Sequence, residues 1–213
     1  MRAVIDPLLV AVLLTNFYVL GTSRLRAAVN GTALQGGLLG ILALAVHGEF
    51  SLTTVLIAGG AFIVKAGVIP TMLLRAMRDA AIRREVDPVI GFIPSLLLGA
   101  AGTGLAILFA HTLPLASFQR GSLIIPASVS TVLTGFILLT TRRQAVMQVG
   151  GYLVLENGIF IMGLSLLNAV PFLVELGVLL DLFVGVFLMG IIIEHISRSF
   201  SSLDTTLLDS LKE

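Results

Sequence analysis

Long apolar runs, separated by short polar breaks, set the pattern of this chain. An α-helix rises 1.5 Å per residue, so about twenty apolar residues cross the ~30 Å hydrocarbon core of a bilayer. Seven runs meet that rule: Val4–Gly21, Ala27–His47, Leu52–Leu74, Val89–His111, Ser122–Thr141, Val146–Leu167 and Val170–Ile193. The pattern predicts an all-α, polytopic transmembrane helix bundle. The opening MRAVIDPLLVAVLL could be a cleaved leader, but it has one arginine, an early Asp6 and Pro7, and no small-x-small site. It reads as a retained first span.

Arginine placement orients the bundle. Arg24 and Arg26 fall in the first break, Arg75, Arg78, Arg83 and Arg84 in the third, Arg142 and Arg143 in the fifth, and Arg198 and Lys212 after the last run. Those ten share one side, against Arg2 and Arg120 on the other. The expected arrangement is N-terminus outside and C-terminus cytoplasmic. Gly36 and Gly40 in the second span form a Gly-x-x-x-Gly pair, expected to serve packing within the chain rather than dimerisation.

Composition agrees: 57% of the residues are hydrophobic, 12% are charged, and mean hydropathy is +1.07. Without cysteine the chain cannot hold an iron–sulfur cluster or a thiolate metal site. A net charge of +1 carries no nucleic-acid signature. The longest polar stretches, Ala76 to Pro88 and the tail from Ser197, are too short to house an active site outside the membrane.

Four ionisable residues lie inside the spans: Lys65, Glu156, Glu175 and Asp181. An intramembrane charge costs about 2.5–3.5 kcal/mol on the insertion scale, so four cost on the order of 10 kcal/mol. They must be paired, hydrated or neutralised. Lys65, Glu156 and Asp181 each stand near mid-span, whereas Glu175 lies about 9 Å from Asp181 along the last span and on another face. That common depth points to a polar, partly hydrated proton path, with Lys65 as a relay partner. The alternative is that these groups only fix helix packing. Pro70 cannot donate to the carbonyl of Ala66, so a kink beside Lys65 is expected. Within the predicted spans no pair of His or carboxylate ligands has the i, i+4 spacing of a helical metal site. His47, His111 and His195 fall at span ends, where interface placement is expected over haem ligation.

The last three spans carry a family resemblance. Leu133-Thr134-Gly135, Arg142-Arg143, Gly151 and Asn157 resemble the small three-helix K subunit of respiratory complex I. They are similar also to the C subunit of multisubunit, Mrp-type cation/proton antiporters. The seven-span layout, LENG at Leu155–Gly158 and ELGVLLDLFVGV at Glu175–Val186 look like component E of hydrogenase-4. That is a membrane subunit of formate-hydrogenlyase-type, group 4 [NiFe]-hydrogenase complexes. The resemblance implies a four-span region over residues 1–120, a K-like module over 121–196 and a cytoplasmic tail over 197–213.

It implies a non-catalytic subunit in a prokaryotic cytoplasmic membrane, contributing carboxylates to a proton-translocation pathway. Antiporter-like, H-like and cytoplasmic hydrogenase subunits would be its partners, and the nickel–iron centre and iron–sulfur clusters would sit on those partners. In the K-like pattern the glutamate of the second helix would fall at Leu153, whereas the carboxylate here is Glu156, one turn on. The last-helix carboxylate followed four residues later by glycine matches Asp181 and Gly185. The rival readings are a structural anchor, an Mrp-like antiporter subunit and an independent secondary transporter.

Overall fold

The computed structural model describes residues 2–47, 59–60, 62–79, 86, 88–113 and 122–166. Within these the elements are helical: α1 (Arg2–Gly21), α2 (Leu25–His47), a π-helical segment (Ile63–Val68) running into α3 (Ile69–Asp79), α4 (Phe92–Thr112), α5 (Ile124–Thr141) and α6 (Ala145–Leu166). Five helices, α1, α2, α4, α5 and α6, are long and apolar enough to cross a membrane. Their ends fall within three residues of the predicted spans, because polar breaks stop both hydropathy and helix.

The third predicted span, Leu52–Leu74, is described only in part, and its helix outruns the predicted end. The helix continues to Asp79, past Arg75 and Arg78. Arginine is a good helix former and can carry its charge outward on a long stem, so a span can end before its helix does. The seventh predicted span, Val170–Ile193, lies outside the described residues, as do Glu175, Asp181 and His195. His111 stands exposed in the last turn of α4.

The α5–α6 pair is the most extensive helix contact. Glycine makes it close. A Cβ on Gly135 would stand 2.5 Å from the backbone nitrogen of Leu155, one on Gly158 2.6 Å from that of Val132, and one on Gly151 2.9 Å from that of Leu139. Backbone against backbone leaves no rotamer to yield. The α2 glycines likewise pack inside the chain. A Cβ on Gly40 would come within 2.8 Å of the Phe62 side chain, and one on Gly36 within 2.9 Å of Lys65 Cβ and 3.2 Å of the Lys65 carbonyl. Helix α4 buries only a small-residue face, Ser95, Gly99, Gly102 and Ala106, and turns large apolar side chains outward.

Two apolar cores fill the bundle. One lies towards the arginine-rich end and joins Val19, Leu20, Val29, Ile69, Leu73, Leu138 and Val154. The other joins Leu9, Val12, Leu39, Leu42, Ala127, Ile161 and Leu164. In α1, α2, α5 and α6 the buried residues between these cores are mostly polar or glycine, and there the candidate site is found.

At the arginine-rich end, Arg142 follows the last turn of α5 and is 1% exposed. Its guanidinium donates to the Leu20 carbonyl at 2.8 Å and to Ser95 Oγ at 3.3 Å, and lies 5.3 Å from the centre of the Phe92 ring. It thus ties the C-terminus of α1, where the helix dipole favours a cation, to the start of α4 and the end of α5. Desolvation lowers the Arg142 pKa from its ordinary value.

Candidate functional site

Lys65 projects from the π-helical segment. There Ile69 N–H bonds to the Val64 carbonyl, an i→i−5 step that widens the turn. In that register the acceptor opposite Pro70 is the carbonyl of Lys65, one residue earlier than the Ala66 carbonyl expected from α-helical spacing. Gly36 admits this widened turn against α2.

From there the lysine reaches α6. Its Nζ lies 3.4 Å from Glu156 Oε1, with the two side chains 9% and 5% exposed. The same ammonium donates to Asn157 Oδ1 at 3.3 Å and sits 5.3 Å from the centre of the Phe160 ring. Residues 156, 157 and 160 fall within one helical turn, so a single face of α6 offers a carboxylate, an amide oxygen and a π cloud to one cation. Glu156 stands 11 residues into α6, roughly 16 Å from its start, near the middle of a ~30 Å core. Sequence reasoning places Lys65 and Glu156 at a common depth. The structure brings them into contact.

The pair heads a longer polar layer. Asn157 Nδ2 donates to Gln35 Oε1 at 3.1 Å, and Gln35 Nε2 donates to Asn16 Oδ1 at 2.7 Å. Asn16 Nδ2 donates to Thr131 Oγ1 at 2.9 Å, and Thr131 Oγ1 donates to the Ala127 carbonyl at 2.7 Å. Gln35 Nε2 also reaches Thr15 Oγ1 at 3.3 Å. The ladder therefore runs from the π-helical segment through α6, α2 and α1 to α5.

Its direction is set at both ends. An ammonium can only donate and a backbone carbonyl can only accept, so each amide between them has one satisfying orientation. Reading for charge alone misses Asn16, Gln35 and Thr131. The signal for the two amides is their place inside apolar runs, LLTNFYVL and TALQGG, where a buried amide requires a partner.

With this geometry in place, the comparisons with known proteins bear on it. An uncharacterised protein of Mycobacterium tuberculosis, Rv0085, is 37% identical over 194 residues, 89% of this chain and 86% of that protein. The chain belongs to the same family as Rv0085. More distantly, hydrogenase-4 component E of Escherichia coli is 24% identical over 212 residues, 98% of this chain and 97% of its own. Hydrogenase-4 component E of Shigella flexneri matches to the same extent. These full-length matches support the component E resemblance drawn from LENG and ELGVLLDLFVGV. No family model and no solved structure matches the chain.

Proposed function

We propose that this chain is a non-catalytic membrane subunit of a hydrogenase complex, and that Lys65 and Glu156 handle protons at mid-membrane. The observation that carries the reading is the buried Lys65–Glu156 pair, held by a polar ladder between two apolar cores. The full-length similarity to hydrogenase-4 component E supplies the class of complex. An ammonium and a carboxylate 3.4 Å apart can pass a proton between them, becoming amine and carboxylic acid, with little movement of heavy atoms. Both states are net neutral, which suits a low-dielectric site.

In this proposal Asp181 of the last predicted span extends the path, as the K-like pattern implies, and Glu175 serves an outer or subunit-facing branch. Redox chemistry belongs to partner subunits carrying the nickel–iron centre and iron–sulfur clusters. Antiporter-like and H-like subunits would flank the chain in a prokaryotic cytoplasmic membrane.

Glu156→Gln tests the reading in the assembled complex. The expected result is normal subunit stoichiometry and hydrogenase turnover with dyes, but loss of coupled proton translocation. Normal coupled pumping by that variant overturns the relay. A second reading, a structural anchor, draws on the same ladder, because it ties four helices to the π-helical segment. Loss of the partner subunits on purification of Glu156→Gln would favour it.

A further inference from the structure

The arginine-rich end of the bundle holds a cavity the proton reading does not use. Its volume is about 370 Å³, and Arg26 and Asn30 of α2 line it together with Thr71, Arg75 and Arg78 of α3. The spacing explains the convergence. Arg26 and Asn30 are one turn apart on α2, and Thr71, Arg75 and Arg78 recur at i, i+4 and i+7 on α3. No carboxylate stands among the described residues that line it. Three arginines lining one space, all of them exposed, make it electropositive and suited to an anion.

Asn30 also lines a second, apolar groove of about 330 Å³ between α1 and α2, walled by Leu14, Tyr18 and Leu34. Leu14 and Leu34 are among the most exposed apolar side chains of the bundle. Gly31 forms the floor, where even a Cβ would come within 2.9 Å of the Tyr18 ring. A basic cavity at the membrane edge thus adjoins, at Asn30, an apolar groove along the membrane-spanning surface.

We infer that this is a binding site for one anionic glycerophospholipid. The phosphate sits among Arg26, Arg75 and Arg78, and an acyl chain lies along Leu14, Tyr18 and Leu34. Guanidiniums recognise phosphate oxygens through paired N–H donors, and the groove supplies the apolar contact that a free phosphate lacks. Arginines at a membrane edge also meet headgroups in general by reaching outward. What singles out this site is convergence from two helices on one cavity that adjoins a groove. The inference is independent of the proton-relay reading.

The test is native mass spectrometry on the purified, delipidated full chain, titrated with phosphatidylglycerol or phosphatidylcholine. The expected result is saturable retention of one phosphatidylglycerol and weak retention of phosphatidylcholine. Removing two guanidiniums from the phosphate should weaken binding on the order of thirtyfold, so Arg26→Gln with Arg75→Gln should bind that much less well. The matched control, Arg24→Gln with Arg143→Gln, removes two exposed arginines outside the cavity and should leave binding unchanged. Leu34→Trp, which fills the groove, should also weaken it. Equal retention of the two lipids, equal loss in the control pair, or full binding by Leu34→Trp overturns the site. Displacement of the lipid by equimolar inorganic phosphate overturns the lipid as its occupant. Because the lipid comparison and Leu34→Trp leave every arginine in place, the proposal is decided even where an arginine variant does not fold.

Discussion

A double-mutant cycle on Lys65 and Glu156 measures how strongly the buried pair is coupled. At 3.4 Å and an effective dielectric near 20, two unit charges attract by about 5 kcal/mol before desolvation is counted. Desolvating both offsets most of that, so the intact pair adds little net stability. Removing one partner is different. Lys65→Met leaves a carboxylate at mid-membrane without its ammonium and should cost about 3–5 kcal/mol. Glu156→Gln keeps an oxygen that can accept from Nζ, so its cost should be smaller, about 1–2 kcal/mol. In the double variant both charges of the pair are gone. The hydrogen bond to Asn157 and the packing on Phe160 disappear in both the single lysine variant and the double, so they cancel from the cycle. The expected coupling energy is about 2–3 kcal/mol. The assay is reversible unfolding of the purified chain in bicelles against a denaturing detergent. Additivity within about 0.5 kcal/mol would refute a strongly coupled pair.

Other perturbations address the surrounding frame. Gly158→Ala or Gly135→Ala drives a methyl into facing backbone and should destabilise by about 1–3 kcal/mol. Gly104→Ala, where a Cβ meets nothing within 4 Å, should leave the thermal midpoint nearly unchanged, and the three midpoints measured together check the packing. Gln35→Leu keeps the volume but deprives Asn16 and Asn157 of their partner; about 2–4 kcal/mol should be lost by the same unfolding assay. Arg142→Lys replaces the two spaced guanidinium nitrogens that reach the Leu20 carbonyl and Ser95 Oγ with a single ammonium on a shorter side chain, and should lower stability by about 2 kcal/mol. The pH dependence from Arg142 has a definite sign. Its folded pKa is depressed by desolvation, so burying the charge costs a constant amount while both states are protonated, and the cost is relieved only as pH rises from the folded pKa towards the unfolded one. A pH titration of unfolding from about 6 to 9 should therefore show no slope that Arg142→Met removes.

Hydropathy makes the spans legible because helix ends and polar breaks have one cause. Backbone groups must be satisfied within the helix wherever lipid excludes water. The same rule exposes Lys65 and Glu156, since a charge in an apolar run is conspicuous. Three features are not legible in the sequence. The i→i−5 register at Ile63–Val68 changes which carbonyl faces Pro70, and neither Ala66 nor Lys65 announces it in one dimension. Asn16, Gln35 and Thr131 carry no formal charge; the apolar runs around the two amides say that each needs a partner, but only the assembled helices show which one. In the sequence Arg142 is one more arginine on the polar side. Only the fold shows that it lies beneath Leu20, Ser95 and Phe92. Charge near a span end bears on the expected sidedness, but burial is a property of packing.

The ladder constrains what the pair can do. Side-chain amides donate and accept at once, yet passing a proton through one would require an unfavourable imidic-acid form, so Asn157, Gln35 and Asn16 are poor carriers. Their value is orientation. The direction of the ladder depends on Lys65 donating at its head and the Ala127 carbonyl accepting at its foot. A lysine that has given up one proton still has N–H bonds to donate, so the ladder can keep its direction in either state. Protonation can then change at Lys65 and Glu156 without rearranging the frame that positions them. On the proposed reading, a frame that keeps its direction around a pair that exchanges protons separates the two readings experimentally. Gln35→Leu should act mainly on stability, and Glu156→Gln mainly on proton movement. A structural anchor predicts that the two variants fail in the same way, by loss of assembly.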